Sequence, residues 1–146
     1  MIQLSIITPE RTIFDGAVDQ VTLRTTEGEI TVLPHHLPLV SVLAPGELRL
    51  RHAGQEVPMV IAGGFVEVFS GSRVAILADD ALRVEEIDIA AIEAARERAR
   101  EALLGVRHAD DVSFAAAAAA LEKELARLRV ARKYRGSRLI TPPSHE

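Results

Sequence analysis

Hydrophobic residues recur at every second position in the first part of the chain. Ile2, Leu4 and Ile6 alternate with Gln3 and Ser5, and Val21 and Leu23 alternate with Gln20, Thr22 and Arg24. Successive side chains of a strand point to opposite faces, so each run reads as a strand with one buried and one wet side. Leu48 and Leu50 repeat the pattern among Glu47, Arg49 and Arg51, after a turn expected at Ala44-Pro45-Gly46. Phe65-Val66-Glu67-Val68-Phe69, the turn Ser70-Gly71-Ser72 and Val74 to Ala78 predict a hairpin. Short strands at intervals of roughly 8 to 12 residues predict an antiparallel β-sandwich or flattened barrel rather than an alternating α/β fold. A module of this size buries roughly 60–65% of its extended-chain surface, which leaves little for an internal cavity.

The period changes near residue 84. Seven of the nine glycines fall at or before Gly71, no proline stands between Pro58 and Pro142, and 15 of the 22 alanines lie between Glu85 and Arg135. Alanine loses little entropy in a helix, so the shift marks a helical regime. Ile89, Ile92, Ala95, Ala99, Ala102 and Val106 recur at three or four residues, and Asp88 is placed to cap the first helix. Gly105 to Asp111 reads as the break, with Asp111 or Ser113 as the next cap. Phe114, Ala115 to Ala120, Leu121, Leu125 and Leu128 give a second helix with one apolar stripe. Two stripes in series predict an antiparallel helical hairpin. Its alanines bury few methylene groups, at roughly 0.8 kcal/mol each, so the hairpin is expected to be held less firmly than a leucine-rich pair. The predicted organisation is a β-sandwich over 1–84, a helical hairpin over 85–135 and a flexible tail over 136–146.

Composition removes several classes of chemistry. The 146 residues carry 17 basic and 21 acidic side chains, a net charge of -4, and no cysteine, so disulfides and thiolate catalysis are closed. No leader pattern or long apolar run is present, and the default expectation is an intracellular soluble chain. Ala62-Gly63-Gly64-Phe65 is not followed by a helical pattern, so it reads as a bulge or turn rather than a phosphate cradle. His35, His36, His52, His108 and His145 lack metal-site spacing, and Asp79-Asp80, Glu85-Glu86 and Asp110-Asp111 sit at element ends, where solvent and helix termini account for them. No catalytic or metal residue is assigned. A sharper feature is Arg127, Arg129, Arg132, Lys133, Arg135 and Arg138, six positive charges with no acidic residue among them. With Tyr134 the only aromatic nearby and an acidic chain overall, this cluster fits an acidic protein surface better than nucleic acid.

Several blocks together resemble one family. Thr26-Glu27-Gly28-Glu29-Ile30, Leu33-Pro34-His35-His36-Leu37-Pro38-Leu39-Val40 and Leu43-Ala44-Pro45-Gly46-Glu47-Leu48-Arg49 are followed by Gly63 to Val68, Val74 to Asp79 and Glu85-Glu86-Ile87-Asp88. Their order and spacing resemble the epsilon subunit of the bacterial F-type ATP synthase, from residue 1 to about 133. The resemblance implies a non-catalytic central-stalk subunit, peripheral on the cytoplasmic face of the bacterial inner or plasma membrane as part of the F1 sector. The sandwich would bind the gamma subunit and the polar loops of the c-ring. The hairpin would fold on the sandwich or extend to meet the alpha and beta catalytic subunits transiently, inhibiting hydrolysis. By the same resemblance the loop holding Glu29, with Pro34, His36 and Leu39 nearby, faces the c-ring and gamma, while Arg127, Arg129, Arg132 and Lys133 make the inhibitory contacts. The other reading is a stand-alone interaction module whose helices brace the sandwich.

Three departures from the family pattern carry expectations of their own. Thr31 stands where glycine is common, and His35 stands at the glycine of a Pro-Gly-His block, so that turn is expected not to rely on positive φ. Some members bind ATP in the folded hairpin. Here Asp88, Lys123 and Arg127 match part of that set, but Ala91 replaces its arginine, which removes a charge and a fork of donors. Weak or absent nucleotide binding is expected, and no cofactor.

Overall fold

The structure is a computed structural model that describes residues 1–105 and 111–137. Nine strands come first: β1 (Ile2–Ile7), β2 (Thr12–Val18), β3 (Gln20–Thr25), β4 (Gly28–Val32), β5 (Leu39–His52), β6 (Gln55–Ile61), β7 (Gly64–Phe69), β8 (Arg73–Ala78) and β9 (Ala81–Arg83). A 3-10 turn at Val84–Glu86 ends this unit, and α1 (Ile89–Gly105) and α2 (Asp111–Ser137) form the second.

The sandwich is organised by β5, which is 14 residues long. β3 pairs with β5 along one side, while the other side pairs with β7 through Leu39–Leu43 and with β6 from Gly46 to His52. The sheet therefore forks at Ala44-Pro45. From there β7 leads to β8, β1 and β2, and β6 leads to β9. The expected turn at Ala44-Pro45-Gly46 is instead part of this strand, because Pro45, which has no N–H, stands where β5 changes partners and no ladder bond is asked of it. On the other side Leu43 pairs with Thr25 and Leu48 with Leu23, so Arg24 alone faces Ala44 to Glu47 in a wide bulge that bends the strand. All pairings between the described strands are antiparallel except β1 with β8, which is parallel.

Period-2 alternation sends Ile2, Leu4 and Ile6 of β1, Val66 and Val68 of β7 and Val74 and Ile76 of β8 into one core. Val21, Leu23, Leu48, Leu50, Met59 and Ile61 meet them there. The predicted hairpin is β7–β8, with Val66 opposite Ile76 and Val68 opposite Val74. At its base Gly64 lies between Leu43 and Ala78 with φ +125°, and a Cβ there would fall on the Leu77 carbonyl oxygen and 2.9 Å from Ala78 Cα.

In the second unit Asp88 caps α1, its Oδ1 accepting the Ala91 N–H at 3.3 Å. Ile92 is buried, with Ile89, Ala95, Ala99 and Leu103 half-buried, whereas Ala102 is exposed: the inner face continues four residues beyond Ala99, not three. Val106, His108 and most of the expected break lie outside the described residues. α2 begins at Asp111, which puts Ser113 inside the helix rather than at its cap. Its inner face runs from half-buried Leu121 through buried Glu124, Leu128 and Ala131, at steps of three and four, with Ala126 and Val130 buried beside it, so Glu124 occupies the stripe and the expected Leu125 is exposed. The Glu124 carboxylate is answered by Arg127 Nη1 at 3.2 Å. Glu93 near the start of α1 reaches Arg132 near the end of α2 at 3.8 Å, which makes the pair antiparallel.

Replacing Gly64 by alanine is expected to cost about 3 to 5 kcal/mol, from left-handed strain plus the clash with β8. Gly54→Ala, with φ +76° but open space around it, is expected to cost only about 1 to 2 kcal/mol. Urea unfolding midpoints of the two variants measure the difference, and equal midpoints would contradict the close approach at Gly64.

Candidate interaction surfaces

The outward face of the β1, β8, β7 and β5 layer breaks the alternation rule. Strand register puts Ile7 beside Leu77, Leu77 beside Phe65 and Phe65 beside Val42, a straight row across four strands. These side chains point away from the core, with Ile7 39%, Leu77 57%, Phe65 55% and Val42 46% exposed. The adjacent row holds Ser5, Ala75, Glu67 and Val40, the last 67% exposed. An open depression of about 240 Å³ lies among Val40, Phe65, Glu67, Ala75 and Leu77. A wet sheet face is ordinarily polar, so a contiguous apolar row is a candidate contact surface. Arg73, lying 4.1 Å from the centre of the Phe69 ring, sets a charge at its margin.

The loop before β5 is tied to the same end of the layer. His35 adopts φ +65°, and its N–H donates to Ser72 Oγ at 2.9 Å. Ser72, itself at φ +59°, accepts the Gln3 N–H on its carbonyl at 2.9 Å, so one serine joins loop, hairpin turn and β1. The expectation that this turn avoids positive φ is corrected: the left-handed conformation is kept without glycine, at a residue type that tolerates it, and the Ser72 bond holds it. Pro34, His36 and Leu39 are half-buried along this segment, with His36 donating its N–H to the Leu33 carbonyl at 3.2 Å. Glu29 is not on a loop. It lies on β4, opposite Arg24, with its carboxylate 3.3 Å from Arg49.

The basic residues of α2 divide in two. Arg129, Arg132 and Lys133 are exposed at i, i+3 and i+4 spacing and share one face. Arg127 is largely buried against Glu124 and does not join that face. The partial nucleotide set is not assembled either. Asp88 is engaged as a cap, and the Glu93–Arg132 register puts Lys123 roughly four helical turns from it along the hairpin. Among the described residues no group of histidine and acidic side chains is arranged to hold a metal, and no helix is long and apolar enough to cross a membrane.

Comparison with known proteins gives these surfaces a setting. Residues 1–84 match the family model described as the ATP synthase delta/epsilon chain beta-sandwich domain. The chain belongs to the ATP synthase epsilon-chain family. It is 42% identical to an ATP synthase epsilon chain of Dehalococcoides mccartyi, covering 92% of this chain and 94% of that one. Against the epsilon chain of Chloroflexus aggregans identity is 41%, with the same coverage. Among solved structures, a chain of the Euglena gracilis mitochondrial ATP synthase, in an assembly described as OSCP, F1 and c-ring, superposes with a TM-score of 0.73 at 32% identity, over 90% of this chain and 81% of that one. A Tetrahymena thermophila central stalk and c-ring structure shares the fold, with a TM-score of 0.56 at 20% identity.

Within the epsilon-chain family setting, the apolar row is the feature that sequence reading passed over. Its signal was present at Phe65 and Leu77, where strands otherwise alternating carry large apolar residues at wet positions. Position 35 gives a direct check on the loop. His35→Gly is expected to change stability by no more than about 0.5 kcal/mol, while His35→Val, β-branched in a left-handed conformation, is expected to cost about 2 kcal/mol. Thermal unfolding of the two variants reads this, and a valine variant as stable as the parent would contradict the bound conformation.

Proposed function

We propose that this chain is a non-catalytic rotor subunit of an F-type ATP synthase, whose sandwich joins the gamma subunit to the c-ring and whose helical hairpin restrains ATP hydrolysis. The observation that carries it is the row Ile7, Leu77, Phe65 and Val42. Removing the exposed halves of Phe65 and Leu77 from water contributes roughly 1 kcal/mol each, and a strand-built face delivers that contact without rearrangement. Family membership, and similarity to a chain from an F1 and c-ring assembly, supply the partner: gamma covers the apolar row, and Glu29 on β4 meets the polar loops of the c-ring. The subunit then sits peripherally on the cytoplasmic face of the bacterial membrane.

Regulation falls to the hairpin. The alanine run Ala115 to Ala120 is exposed or half-buried, and in α1 only Ile92 is buried. A helix pair with so little apolar volume in its seam changes partners for a few kcal/mol, so contacts of Arg129, Arg132 and Lys133 with the alpha and beta catalytic subunits shift its population. Nucleotide plays no part in this reading. Ala91 supplies no guanidinium, and Arg127 faces the Glu124 carboxylate.

Phe65→Glu combined with Leu77→Glu is expected to leave the fold within about 1 kcal/mol of the parent and to reduce co-purification with gamma at least about tenfold. Undiminished co-purification would move the gamma contact elsewhere. Truncation after residue 86 is expected to raise ATP hydrolysis by the assembled enzyme about threefold or more while synthesis persists. Hydrolysis unchanged across nucleotide and proton-gradient conditions would remove inhibition from the account.

A further inference from the structure

The opposite layer of the sandwich carries a charged outer surface, and one residue organises it. Arg49 of β5 places Nη1 3.1 Å from Glu47 on its own strand and Nη2 3.3 Å from Glu29 on β4, reaching across β3. Its side chain is 25% exposed, that of Glu47 15% and that of Glu29 58%. The more buried of the two carboxylates draws on the same guanidinium, so the Arg49 charge is shared between them, with Arg24 opposite Glu29 on the same face.

Other bonds fix the strand that bears Glu29. β4 is an edge strand, paired only to β3 among the described strands. Thr31 Oγ1 lies 2.9 Å from Thr22 Oγ1, and Thr22 is the strand partner of both Thr31 and Arg49. Thr25 Oγ1 donates to the Gly28 carbonyl at 2.8 Å and accepts the Glu27 N–H at 3.2 Å, closing the turn that delivers β4. A glutamate on an unbraced edge would lose rotamer freedom on binding, whereas one already paired to one arm of a guanidinium loses less.

We propose that Arg49 is a positioning residue that presents the Glu29 carboxylate at the sheet edge to a polar loop rich in hydrogen-bond donors, with the Thr22–Thr31 bond as its second brace. This rests on the reading that Glu29 faces the c-ring. Thr31, a departure from the glycine common at that position, then has a task in this chain.

The test is a double-mutant cycle on the gamma complex of this subunit binding detergent-solubilised c-ring. Glu29→Gln is expected to weaken binding about tenfold, Arg49→Gln about three- to tenfold, and the double variant no more than Glu29→Gln alone. Gamma association is expected to stay unchanged throughout. Thr31→Val, which removes the hydroxyl at constant volume, is expected to weaken c-ring binding about twofold with Glu29 present and not at all in the Glu29→Gln background. It keeps the cycle informative if Arg49→Gln impairs folding. Multiplicative losses in either double variant, or Arg49→Gln binding as the parent does while Glu29→Gln fails, would overturn the positioning role alone. Glu29→Gln without effect would overturn the placement of Glu29 at the c-ring and the inference with it.

Discussion

The partner change of β5 at Ala44-Pro45 is the constraint on which the sandwich depends. A single strand gives its first five residues to β7 and its last seven to β6, keeping β3 beside both halves. Two layers are thereby cut from one sheet, and Leu43, Leu48 and Leu50 feed their common core. The device works because Pro45 stands at the step with no ladder donor to satisfy and because Arg24 alone faces four residues there, adding the twist that turns the strand. Gly64, packed against the β8 backbone, closes the same corner from the other side.

Function follows from which side of each layer is left over. Once the even positions of β8 and β7 are committed inward, Leu77 and Phe65 have no choice but to face out, and register lines them up with Ile7 and Val42. On the other layer the leftover positions are Arg49, Glu47, Arg24 and Glu29. The sandwich thus offers an apolar face on one layer and a charged surface on the other. The helical unit is built the opposite way. Its seam is short of large side chains, and a carboxylate, Glu124, sits on the buried stripe of α2 with Arg127 as its counter-charge. Such a seam ranks low among the packing strengths that resist local opening.

Much of this was legible in the residues, and the misses have physical causes. Alternation placed β1, β3, β7 and β8, and the helical period and Asp88 placed α1. The turn read at Ala44-Pro45-Gly46 failed because proline and glycine also mark bulges, and only the long-range partners of β5 distinguish the two. Leu121, Leu125 and Leu128 fit the helical period as well as Leu121, Glu124 and Leu128 do, so spacing does not choose between Leu125 and Glu124, and hydrophobicity favours the residue that the fold leaves exposed. At His35 the absence of glycine does not mean the absence of positive φ. The hydroxyl of Ser72, 37 residues away, is not visible in the local sequence. The row from Ile7 to Val42 draws on four separated strands, and no local window holds it. The match to the epsilon-chain family came from the order of its blocks, independent of these details.

Hydroxyl-radical footprinting of the native subunit, free and within the assembled ATP synthase, tests the central claim most directly because it needs no substitution. The account predicts that oxidation of Phe65 and Leu77 falls about tenfold or more on assembly while exposed Leu37, outside the row, changes less. Phe65 and Leu77 oxidised equally fast in both states would mean that the apolar row stays in water and that the rotor grips this subunit somewhere else.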